Sequence, residues 1–234
     1  MAANHERAIH VAGVVDFDEA RLLVDCGVRF LGFPFALDHH KEDLTVAAAT
    51  RVVSKLAHQA DFFLITYLTR AEDIRRLCDA LSVQMVQLHG ATDPNQIQLL
   101  KREAPGLKVI KSLIVRDDNA DALIGQLQSF EPSVDAFITD TFDPETGASG
   151  ATGKVHNWTV SRRLVEATNR PVILAGGLNA ENVRQAIHSV KPAGVDVHTG
   201  IEGQDGRKRR DLTMRFVKEA TVGFADVGTE PGDS

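Results

Sequence analysis

The chain has 234 residues, 43% hydrophobic and 25% charged, which is ordinary globular usage and excludes a disordered, collagen-like or coiled-coil chain. Its 26 basic and 32 acidic side chains leave a net charge of -6, arguing against nucleic acid as a partner while leaving room for a local anion site. No apolar run approaches the roughly 20 residues that cross a bilayer, and Met1 to Arg7 lacks the apolar core of a secretory signal. The expectation is a cytoplasmic protein without a membrane partner.

Short β-rich runs alternate with amphipathic helical patterns along the whole chain. Strands are predicted at Ala8 to Ala12, Arg29 to Phe33, Phe62 to Thr66, Met85 to His89, Lys108 to Ser112, Ala136 to Asp140, Pro171 to Ala175 and Val195 to His198. Helices are predicted at Phe17 to Cys26, Leu44 to Gln59, Ala71 to Leu81, Pro94 to Glu103, Asn119 to Phe130, Trp158 to Ala167, Ala180 to Ser189 and Arg209 to Ala220. Asp93 before Pro94 reads as an N-cap followed by proline at the first helical position. Eight strand-helix units without a domain-splitting linker predict an α/β fold, a single-domain (β/α)8 TIM barrel over residues 1–226, ahead of an open doubly wound sheet. Residues 227–234 read as a disordered tail. The loop from Thr141 to Asn157, rich in Gly, Ser and Thr, falls after strand six on the face where barrel active sites lie.

The residues that end each strand are the ones to inspect. Alternation places His10 with Ala12, Gln87 with His89, Ile138 with Asp140 and Asp196 with His198 on inward faces, so Asp140, His89 and His198 are expected over one mouth. Asp140 is a candidate acid, because a carboxyl buried there is raised towards neutrality; its alternative is a cap for the long loop. His89 and His198 are either ligand-contacting or structural. Gly176-Gly177 ends strand seven and opens a helix, and Thr199-Gly200 follows strand eight. Together they match the phosphate site that many barrels share, made of main-chain N-H groups. His39, His40 and Lys41, after strand two, read as a solvated run or as anion contacts. Cys26 and Cys78 fall in helices and form neither a disulfide framework nor a metal motif. No cofactor fingerprint or metal-ligand spacing is present, and neither group is expected, although His89, His198 and Asp140 are the set that would hold a metal.

Four stretches carry a resemblance to the phosphoribosylanthranilate isomerase family: V-Q-L-H-G at Val86 to Gly90; Asp140 with the downstream G-A-T-G-K at Gly150 to Lys154 and Trp158; I-L-A-G-G-L-N-A-E-N-V at Ile173 to Val183; and G-V-D-V-H-T-G-I-E-G at Gly194 to Gly203. The resemblance implies a (β/α)8 enzyme of tryptophan biosynthesis that opens the ribose ring of an aminoaldose phosphate with an aspartic acid. A cysteine base then moves the C2 proton in an Amadori rearrangement. It also implies that Asp140 is the acid and that Gly176, Gly177, Thr199 and Gly200 clamp the phosphate.

The chain departs from the family at three places. The first-strand motif Lys-x-Cys-Gly reads His10-Val11-Ala12-Gly13, so Ala12 stands where the base belongs. The Ser-Pro-Arg after strand two is replaced by Ala36-Leu37-Asp38-His39-His40-Lys41, and His198 occupies a position that commonly carries a small hydroxyl residue. His10 and His198 are the candidate substitute bases. The function expected is aldose-ketose isomerisation of a phosphorylated sugar or sugar amine. The alternatives are a metal-assisted phosphosugar epimerase or lyase, and a phosphate-binding barrel without catalysis. A monomer and a homodimer both fit the sequence.

Overall fold

The computed structural model describes residues 7–37, 44–116, 118–141 and 157–228. His39, His40, Lys41 and the stretch Gly150 to Lys154 lie outside them. The strands are β1 (Ala8–Val11), β2 (Phe30–Pro34), β3 (Asp61–Thr66), β4 (Met85–Leu88), β5 (Lys108–Val115), β6 (Ala136–Thr141), β7 (Val172–Leu174) and β8 (Gly194–Val197). They pair in parallel in chain order and close, β1 against β8, into a barrel. The helices are α1 (Phe17–Asp25), α2 (Val46–Leu56), α3 (Ala71–Leu81), α4 (Pro94–Glu103), α5 (Ala120–Phe130), α6 (Trp158–Glu166), α7 (Val183–Val190) and α8 (Arg210–Gly228). A one-turn 3₁₀ helix, Thr199–Ile201, sits between β8 and α8.

Local chemistry sets several boundaries. Asp16 caps α1 by accepting the Glu19 N-H at 2.8 Å, and Asp93 caps α4, which opens on Pro94. Helix α7 starts three residues later than its sequence pattern suggests, because the side chain of Asn179 accepts the N-H groups of Glu181 and Asn182 and holds that stretch as a turn. Helix α8 runs past Gly223, where glycine ordinarily signals an end. That glycine instead lets two helices approach: a Cβ there would lie 3.1 Å from Ile187 of α7. No helix among the described residues is long and apolar enough to cross a membrane.

The apolar interior has two shells. Between sheet and helices lie the side chains that the helical periodicity turns inward, such as Leu23, Leu56, Ile74, Leu100 and Leu164. Inside the barrel, alternate strand residues meet: Phe30, Phe63, Ile65, Met85, Ile110 and Ile138 among them. Gly32 leaves room for the Phe63 ring, which a Cβ would approach to 2.7 Å. This packed plug forms the floor under the mouth.

Phe63 is fully buried in that plug. Phe63→Ala is expected to cost about 3–5 kcal/mol in urea denaturation, because the strands around the cavity are tied to both neighbours and cannot collapse. A cost below about 1 kcal/mol would show that the floor repacks.

Candidate active site

The barrel places His89 and Asp140 together. His89 follows β4, Asp140 is the fifth residue of β6, and His89 Nδ1 lies 3.8 Å from Asp140 Oδ2. The Tyr67 ring leans on the His89 ring, with centroids 4.7 Å apart. Asp140 Oδ1 accepts the N-H of Thr141 at 2.8 Å. Burial pushes the Asp140 carboxyl up to about 7, against the opposing effect of that N-H. A carboxyl tuned so close to neutrality can hold a proton and give it away.

A second carboxyl, Asp196, faces the same interior from β8. Its pKa is pushed up to about 8, by burial first and then by the negative charge of Asp140, with Lys208 opposing. Asp196 Oδ1 has no hydrogen-bond partner among the described residues. Two enclosed carboxyls that repel one another titrate as a coupled pair and keep a proton between them at neutral pH.

His198 and His10 occupy different depths. The register pairs His10 with Asp196 and Val11 with Val197, and the Ala12 N-H donates to the Val197 carbonyl at 3.1 Å. Gly13, the residue after Ala12, lies against the His198 ring. The His198 side chain is one-third exposed and its Nε2 lies 3.3 Å from Glu202 Oε1. His198 thus pairs with Glu202, away from the His89 and Asp140 couple with which the sequence grouped it. His10 is fully buried, stacked on Phe30 at 4.7 Å and packed against Phe63 at 5.3 Å. It belongs to the floor of the mouth.

The glycine turns share one rim. Gly176 and Gly177 have φ of +103° and +62°, a region open to glycine at little cost. Asn182 Nδ2 donates to the Gly177 carbonyl at 2.9 Å. A Cβ on Gly200 would overlap the Leu178 carbonyl oxygen, so the 3₁₀ turn is pressed against the loop after β7. Thr199 and Gly200 open that turn, next to the loop that holds Gly176 and Gly177. Among the described residues no group of three or more His, Cys, Asp or Glu is placed to hold a metal ion; His89, Asp140 and His198 do not make one.

Three charged residues escaped the sequence reading. Lys111 is an isolated charge in the apolar run of β5, and its ammonium donates to the carbonyls of Leu88 and Gly90, on either side of His89, at 3.2 and 2.9 Å. Burial lowers its pKa to about 8. Glu202 and Lys208 pair at 2.6 Å, joining the turn after β8 to the loop before α8. A charge inside a strand pattern was the available signal for Lys111; nothing local signals the other pair.

A profile of the N-(5'-phosphoribosyl)anthranilate isomerase family matches residues 25–219. The chain belongs to this family. It is 35% identical over 220 residues to N-(5'-phosphoribosyl)anthranilate isomerase 2 of Methanosarcina mazei, covering 94% of this chain and 96% of that protein. It is 32% identical over 212 residues to the isomerase of Pelobacter propionicus, covering 91% and 94%. The solved phosphoribosylanthranilate isomerase of Thermotoga maritima superposes with a TM-score of 0.78 at 26% identity, over 92% of this chain and 98% of that one. The chain is an isomerase on a TIM barrel, as its motifs implied. The profile match begins downstream of β1 and Ala12.

The raised carboxyls set a pH dependence of stability. Their folded pKa values exceed the unfolded value of about 4, so between about pH 4 and pH 8 the unfolded chain releases these protons first, and stability falls as pH rises. Asp196→Asn removes one of the two groups. Its stability relative to the wild type in urea is expected to improve progressively from pH 5 to pH 8; a difference independent of pH would mean that Asp196 titrates normally.

Proposed function

We propose that this chain catalyses the Amadori-type aldose-ketose isomerisation of an N-(5-phosphoribosyl) amine, with phosphoribosylanthranilate as the substrate that the family's name supplies. The observation that carries the reading is Asp140: an enclosed carboxyl with a pKa raised to about 7, in the mouth of a barrel whose adjoining rim, after the neighbouring β7 and then β8, is built from glycine turns. Asp140 donates its proton to the ribose ring oxygen, the C1-O bond breaks, and the amine nitrogen's lone pair forms a C1-N double bond. A base removes the proton from C2, giving an enolamine. The protonated base then returns a proton to C1 while the C2 hydroxyl gives its proton to the Asp140 carboxylate, which leaves the ketone at C2 and restores both groups.

Gly176, Gly177, Thr199 and Gly200 hold the phosphate by main-chain N-H groups, aided by the partial positive end of the 3₁₀ turn. His89, held against Asp140, contacts the sugar.

The base is His198. Ala12 has no proton acceptor, whereas His198 follows β8, the strand paired with β1, and rests its ring on Gly13, the residue after Ala12; an imidazole suits proton abstraction near neutrality. His10 points the same way as Ala12 but is covered by Phe30 and Phe63, so it supports the floor and does not meet substrate.

Steady-state turnover of phosphoribosylanthranilate tests this assignment. The wild type is expected to be active. Asp140→Asn and His198→Asn are each expected to lose about 10²–10⁴-fold in kcat, while His10→Asn stays within a few-fold. A silent wild type whose melting temperature nevertheless rises with ribose 5-phosphate would replace catalysis by binding; full activity in His198→Asn would remove His198 as the base.

A further inference from the structure

Resting on the reading of His198 as the base, we infer that Glu202 and Lys208 are positioning residues for that base: Glu202 fixes the tautomer and orientation of His198, and Lys208 holds Glu202 in place. Glu202 follows the 3₁₀ turn, four residues after His198, and its Oε1 lies 3.3 Å from His198 Nε2. The same oxygen accepts from the Lys208 ammonium at 2.6 Å. An ionised carboxylate only accepts hydrogen bonds, so the hydrogen of the neutral imidazole sits on Nε2 and the lone pair on Nδ1.

Lys208 is a built part of the fold. Its side chain is wholly buried, and its ammonium also donates to the Gly13 carbonyl at 3.2 Å. Its main-chain N-H donates to Glu19 Oε1 at 2.8 Å, and Glu19 Oε2 accepts the Val15 N-H at 3.0 Å. An ion pair at 2.6 Å between Asp16 and Arg207 closes the outer side. A buried ammonium needs a carboxylate partner, and at 2.6 Å Lys208 holds the Glu202 oxygen that faces His198. Among the described residues, the charged groups about His198 are Glu202 from the turn after β8, Lys208 from the loop before α8 and Asp196 from β8 itself, with Glu19, Asp16 and Arg207 behind Lys208.

Gly13 completes the arrangement. Its φ is +73°, and a Cβ there would overlap Nε2 of His198. The ring rests on bare backbone at the residue following Ala12. The loop that would carry a cysteine base in the family thus supplies here a seat for an imidazole and a carbonyl for the lysine that orients it.

The test uses the full chain with phosphoribosylanthranilate as substrate. Glu202→Gln keeps the shape and a hydrogen-bond acceptor but removes the charge. Its kcat is expected to fall at least about tenfold with KM within about twofold. The acidic limb of its kcat profile is expected to move to lower pH, because the imidazolium has lost its stabilising carboxylate. Glu202→Asp is expected to restore part of the rate. A merely structural Glu202 would leave the limb where it is. Nitrogen-15 NMR of the wild-type His198 ring, which needs no variant, is expected to show the Nε2-H tautomer. A wild-type kcat and unshifted limb in Glu202→Gln, or an Nδ1-H tautomer, would overturn the inference while leaving His198 as the base. Activity retained in His198→Asn would overturn both.

Discussion

Closure of the sheet between β1 and β8 is the constraint on which the mouth depends. Main-chain pairing of His10 with Asp196 and Val11 with Val197 determines which side chains meet at each level of the barrel. At the floor, a histidine packs among phenylalanines beside a buried carboxyl. Just above, the His198 ring rests on Gly13, the residue after Ala12. A slip of the seam by one residue would turn the strand side chains to the other face of the sheet, so the register sets which of them face the mouth.

The electrostatics of the mouth divide along this seam. Asp140 and Asp196 are deprived of water and repel each other, which favours the protonated state a general acid needs. In the turn after β8, Glu202 and Lys208 form a tight ion pair at 2.6 Å, so one end of the mouth is lined by carboxyls raised by burial and the other by a paired carboxylate and ammonium. The buried carboxyls weaken the fold at neutral pH, and the apolar shells on both sides of the sheet offset this.

Much of the architecture was legible in the chain because period-two and period-3.6 patterns alternate eight times, and strand alternation alone brings Asp140 and His89 together; it grouped His198 with them, whereas that ring lies against Glu202. Alternation does not report depth. It placed His10 on the correct face but could not reveal the rings of Phe30 and Phe63 that cover it, since those come from β2 and β3. Asp196 was visible on the inner face, yet its lack of a partner is a tertiary fact. The end of α8 was misread because Gly223 serves helix packing, and the 3₁₀ turn because three residues carry no periodicity. The link between Glu202 and Lys208 depends on how two loops fold over Gly13, for which no local pattern exists.

The most direct measurement is a crystal structure of this chain with a reduced, ring-opened analogue of the product. The expected result has the phosphate on the N-H groups of Gly177 and Gly200, Asp140 beside the oxygen that closed the ribose ring, and His198 within about 3.5 Å of C2. A ligand whose C2 faces another proton acceptor, with His198 beyond hydrogen-bonding reach, would contradict the transfer of the base from β1 to β8.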